Sequence, residues 1–171
     1  SAGVAWGARI MPVRISNADG YAYWSMVAQG INWAADKGAK VANVSFNGVS
    51  GSATVKSAAD YMRSKGGVVV ASAGNTSGFQ SYTASDSILV AAATDSGDNR
   101  ASWSSYGEYV DVAAPGVSIY ATTNGGGYAN VSGTSFSSPI TAATVALMMS
   151  ANPKLSPADV NKIITSTALD R

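Results

Sequence analysis

The sequence predicts a three-layer α/β protein: a mostly parallel sheet with helices on both faces, as one domain over residues 1–171. Three observations carry this. Strand-like and helix-like segments alternate with short connections, which produces right-handed crossovers and parallel pairing. The run Val68-Val69-Val70-Ala71 is apolar without alternation, as a strand covered on both faces must be. The run Pro139 to Met149 has no polar side chain beyond two threonines, the pattern of a helix buried at a domain centre.

Taken in order, Ile10 to Ile15 reads as a first strand, with Pro12 implying an edge or bulge position. Ser16 to Gly20 is loop chemistry. A helix is expected from Tyr21 to Gly38, with Trp24, Val27, Ile31 and Ala34 on one face and Gly38 as its stop. Val41 to Phe46 is a strand. Ser52 caps a second helix that turns Val55, Ala58, Ala59 and Met62 inward and ends before Gly66. Val68 to Ala73 and Ile88 to Ala93 are two more strands. Short β-type runs follow at Tyr109–Ala113, Val117–Ala121 and Tyr128–Val131, broken by Pro115-Gly116 and Gly125-Gly126-Gly127; these predict antiparallel excursions. The central helix then opens with Pro139 in its first turn, where a missing amide costs nothing. Ser156 and Pro157 begin a last helix that buries Val160, Ile163 and Ile164.

Composition removes several functions. Eleven basic and ten acidic residues leave a net charge of +1 with no basic stripe, so no nucleic-acid partner is expected. At ~11 apolar residues the central run is short of the about 20 that span a membrane. There is no cysteine, which excludes disulfides and thiolate metal sites. Asp19, Asp86, Asp95, Asp98 and Asp111 lie in or beside loops, without metal-ligand spacing, and read as structural or solvated. There is also no histidine, the usual general base for an activated serine.

Two stretches still carry chemistry. Ser135, in Gly133-Thr134-Ser135-Phe136-Ser137-Ser138-Pro139, would stand at the positive end of the central helix, facing unpaired backbone donors. Two readings stand for it: a helix cap, or a nucleophile whose oxyanion meets those donors. Gly133 suits a sharp entry into the helix. Asn75, just past the third strand, is either turn chemistry or an amide aimed into the mouth of a site at the strand ends.

Taken together these motifs resemble the subtilisin-like serine proteases. Gly133 to Pro139 is similar to their nucleophile signature, and Ala71-Ser72-Ala73-Gly74-Asn75, ending sixty positions before Ser135, to their oxyanion strand. Ala39 to Phe46, Ser102 to Gly107 and Val112 to Gly116 resemble further segments, so the similarity covers nearly the whole chain. It implies Ser135 as nucleophile and Asn75 in the oxyanion hole. It implies that Gly20, Tyr21 and Ala22, with Ser45, Phe46 and Asn47, take an extended peptide between them. Trp24, Val27 and Phe46 would line an apolar subsite, and Ala71, Ser72, Ala73 and Gly74 would wall a roomy first pocket suited to a large apolar side chain.

The resemblance also sets out what this stretch lacks. Asn47 stands where the family has glycine, and Thr83 where it has proline; the loop from Asn75 to Tyr82 is short. The family's aspartate and histidine come before this region and a Gly-x-Gly segment after it, so a fold incomplete at both ends is expected. Three expectations follow: the isolated chain is inactive, it binds the absent N-terminal segment or self-associates through bare strand edges, and the parent protein is secreted. No cofactor is expected for the chemistry, and calcium is a structural possibility in the parent protein. The alternative is a non-catalytic peptide-binding or scaffolding relative. An α/β-hydrolase esterase fits less well, since Gly133-Thr134-Ser135-Phe136-Ser137 lacks the second glycine of that family's elbow.

Overall fold

The computed structural model describes residues 3–170. Its main sheet has four strands in the order β1 (Val41–Val44), β2 (Val68–Ser72), β3 (Ile88–Thr94) and β4 (Val112–Pro115). All three pairings are parallel, with Val41 opposite Val68, Val69 opposite Ile88, and Ala91 opposite Val112. Alternate side chains of the central strands feed two cores, because successive residues of a strand point to opposite faces. Val69, Ala71, Ile88 and Val90 meet α1 (Trp24–Asp36) and α2 (Ala53–Ser64) on one side. Val68, Val70 and Leu89 meet Ala142 and Val145 of α3 (Thr134–Ala151) and Val160 of α4 (Pro157–Thr167) on the other. This is the three-layer α/β arrangement expected.

The helix ends follow their sequence signals. Ser52 accepts from the Val55 amide, and Ser156 forms a full capping box with Asp159. Gly38 and Gly66 both take positive φ just past their helices, the conformation that glycine adopts without a Cβ penalty.

Five expectations are corrected. Residues 10–15 form no strand: among the described residues no neighbouring strand pairs with their backbone groups, and they instead lie against α1, with Ile15 seated against Gly30. The run Tyr109 to Ala113 makes no antiparallel excursion, because Val112–Pro115 joins β3 in parallel as the sheet's edge, where proline's missing amide is tolerated. Among the strands of the described residues, β5 (Ile119–Thr122) and β6 (Tyr128–Val131) are the pair that runs antiparallel. The central helix starts at Thr134, so Pro139 is its sixth residue rather than a first-turn residue. That helix is not buried all round: Leu147 is 46% exposed, because the sheet covers one side and α4 only part of the rest. In α4, likewise, Val160 is buried but Ile163 is exposed.

The carboxylates are engaged locally. Asp95 Oδ1 accepts from the amides of Gly97 and Asn99, holding the turn after β3. Asp111 Oδ2 accepts from the Val90 amide at 2.7 Å, although the residue keeps an exposed flank. Burial of its carboxyl pushes its pKa up to about 6 against that hydrogen bond, with a smaller push from Asp86.

Candidate active site

The end of β2 and the start of α3 are tied together by one side chain. Thr134 is fully buried, and both its backbone amide and its hydroxyl donate to Asn75 Oδ1, at 2.9 and 2.8 Å. The same hydroxyl accepts from the Gly74 amide at 3.1 Å. With Oδ1 held from two sides, the Asn75 amide cannot flip without losing both bonds, so Nδ2 faces out. Gly133 shows where it faces: a Cβ built there would lie 3.6 Å from Asn75 Nδ2 and 3.7 Å from the Ser135 amide nitrogen. Two donor nitrogens and the Phe136 ring thus border one small space beside Ser135, which is the second residue of α3.

Gly133 has φ 160°, extended backbone that any residue can adopt, so the sharp-entry expectation is replaced by one of space. A side chain there would enter the volume between the two donors.

Pro139 explains the next contact. It has no amide to offer the carbonyl four residues back, which is that of Ser135. Ser45, just past β1, supplies the donor: its hydroxyl bonds the Ser135 carbonyl at 3.1 Å. Asn43 Nδ2 donates to Ser45 Oγ at 3.0 Å, and Ser138 Oγ donates to Asn43 Oδ1 at 2.6 Å. A chain of four polar groups therefore runs from β1 to α3 and back.

The other implied positions fall around this centre. Ser72 Oγ donates to the Phe46 carbonyl at 3.3 Å, joining the two segments beyond the sheet. Ala71, Ser72, Ala73 and Gly74 are all buried and form a wall beside the site. Behind Ala73, the buried Tyr109 hydroxyl donates to its carbonyl at 2.7 Å. Burial first, then neighbouring Tyr82, pushes that phenol up to about 12, so it remains a donor. Trp24 borders Gly48 at the far end of the Ser45–Asn47 segment, and Phe46 packs on the α1 core. Val27 is 2% exposed and belongs to that core, not to an open subsite. Tyr21 and Ala22 line a cleft of about 700 Å³ with Arg14, Ile15 and Met26, and Gly20 turns the chain into it with φ 84°. Thr134, Asn43 and Ser138 were not singled out by sequence reasoning, and the only signal was the hydroxyl preceding Ser135 in its motif. Among the described residues no group of three or more His, Cys, Asp or Glu side chains could hold a metal ion.

The parallel sheet covered by helices on both faces, with Ser135 in the first turn of α3, defines a three-layer α/β protein. Family comparison makes the assignment specific: residues 1–171 match the subtilase family, and the chain belongs to it. It is 41% identical to subtilisin DY of Bacillus licheniformis over 97% of the chain and 63% of that protein. It is 44% identical to thermitase of Thermoactinomyces vulgaris over 87% of the chain and 54% of that protein. Among solved structures, a protease from Pseudoalteromonas arctica superposes with a TM-score of 0.86 at 29% identity, over 98% of this chain and 58% of that one. A cold-adapted subtilisin-like serine proteinase gives 0.84 at 30% identity, over 96% and 62%. The chain therefore spans less than two thirds of the relatives it matches.

Proposed function

We propose that this chain is the nucleophile-bearing portion of a secreted subtilisin-like serine endopeptidase. Ser135 Oγ attacks the peptide carbonyl, and its proton passes to an imidazole outside these 171 residues, which hold no histidine. The new C–O bond places the oxyanion between the Ser135 amide and Asn75 Nδ2. The C–N bond then breaks, the amine leaves with that proton, and water releases the acyl group from Ser135. The polypeptide substrate lies as an added strand between the segments at Gly20–Ala22 and Ser45–Asn47. No cofactor takes part in the chemistry, and calcium in the parent protein has at most a structural role.

The observation that supports this reading best is the shared space at Gly133, 3.6 and 3.7 Å from the two donors. A helix cap alone would not require a second, outward-held amide there. The isolated chain is inactive on this reading: without its base, subtilisin itself keeps only ~10³–10⁴-fold over water. A serine-directed fluorophosphonate tests both statements. The full-length protein labels rapidly and stoichiometrically at Ser135, and the 171-residue chain does not. Rapid labelling of the isolated chain would refute its inactivity. Failure of the full-length protein to label favours the non-catalytic relative.

A further inference from the structure

The extensions of β1 and β2 run on past their last paired residues toward the nucleophile. Ser45 holds the Ser135 carbonyl, and the Gly74 amide holds the Thr134 hydroxyl, each at 3.1 Å. The gap between the two extensions therefore opens beside Ser135. A side chain next to a carbonyl held by Ser135 has that gap within reach. Its base is closed where Ser72 bonds Phe46, and Ala73 and Gly74 give it a low wall.

One side chain crosses it. Asn47 Oδ1 lies 3.6 Å from the place where a Cβ on Gly74 would stand. Ser105 Oγ lies 3.1 Å from the same point and is itself committed to the Thr76 amide, so the space beside Gly74 is bounded on that side as well. Asn47 is exposed, and its carboxamide has no hydrogen-bond partner among the described residues. The gap is thus narrowed by a neutral group with one free acceptor and two free donors.

We propose that Asn47 sets the acyl-side specificity of this protease, favouring short or amide-bearing side chains (Ala, Ser, Asn, Gln) over Phe, Tyr and Leu. This rests on the endopeptidase reading and replaces the roomy apolar pocket implied by the wall residues alone. A large apolar side chain would have to strip water from the amide and return no hydrogen bond, and the narrowed gap leaves it little room. A glutamine or asparagine side chain can pair with that amide as both donor and acceptor. No charge on Asn47 recruits a charged side chain.

The test uses the full-length protein and peptides that differ only in the residue before the scissile bond. The wild type cleaves Gln and Ala peptides with higher kcat/KM than the Phe peptide. Asn47→Gly raises the Phe-to-Gln ratio by at least ~10-fold, within the range that a lost hydrogen bond or added methylene gives in such pockets. Asn47→Ala, which keeps Cβ but loses the amide, abolishes the preference for Gln and gains less for Phe. Each ratio comes from one preparation and does not depend on the fraction folded. A wild type that prefers Phe, or a ratio unchanged within about twofold in both variants, overturns the role of Asn47 and leaves the endopeptidase reading intact. A wild type that cleaves none of the peptides overturns the endopeptidase reading itself, and the specificity with it.

Discussion

Asn75 and Thr134 act as one unit, and their variants separate chemistry from support. On the endopeptidase reading, Asn75→Ala in the full-length protein lowers kcat by about 10²–10³-fold with little change in KM, the size of the loss known for removing an oxyanion-hole donor. Thr134→Val keeps the volume but removes the hydroxyl that donates to Asn75 and accepts from Gly74. It leaves the Gly74 amide without its acceptor, so denaturant unfolding should show a loss of about 1–3 kcal/mol beside a smaller fall in kcat. Equal stability with unchanged kcat would show that the Asn75 amide is held by the Thr134 backbone alone. The closeness of Ser135 and Asn75 could be expected from their motifs. Thr134 could not, since a hydroxyl beside a nucleophile looks in sequence like any helix cap. Its three bonds exist only because β2 and the start of α3 meet, across about sixty residues of chain.

The central helix shows how an element-level reading can fail and still be informative. The sequence rules place Pro139 in a first turn, where its missing amide is harmless. In the fold it lies in the sixth position of α3, where an interior proline costs about 3 kcal/mol when the freed carbonyl has no partner. The freed carbonyl is that of Ser135, and Ser45 satisfies it. Ser45→Ala removes that donor. Its expected cost is about 1 kcal/mol, because the site is only partly buried and water can replace the hydroxyl. On the endopeptidase reading, fluorophosphonate labelling of the full-length variant should slow more than that loss of stability explains, since the Ser135 backbone loses its anchor. Wild-type labelling would show that the contact is structural only. The other elements were legible where periodicity and capping agreed: α1, α2, α4 and the strands β1, β2 and β3 lie near their expected bounds. Residues 10–15 failed because β-type composition states a preference, and a strand also needs a neighbour with free backbone groups.

At the scale of the molecule, the order β1-β2-β3-β4 puts β1 at an edge. Among the described residues no strand pairs with its outer side, and unpaired edges recruit other chains. We expect purified chain to copurify with the N-terminal segment of its parent or to self-associate through this edge. Light scattering that reports a stable monomer with no bound peptide would refute this. The parallel direction of β1, β2 and β3 could be read from the strand and helix alternation, whereas that of β4 could not. Which strand ends at an edge could not, because that depends on pairing rather than on any local pattern. The edge has one further consequence. β1 runs straight into Ser45, whose hydroxyl grips the turn that bears Ser135. Filling the outer groove of the sheet and quieting that turn should therefore be one cooperative event. Backbone hydrogen exchange at positions 135–138 reports it, slowing when a complementary strand is added in trans; an assembled sheet would thus carry its own signal of readiness to the serine.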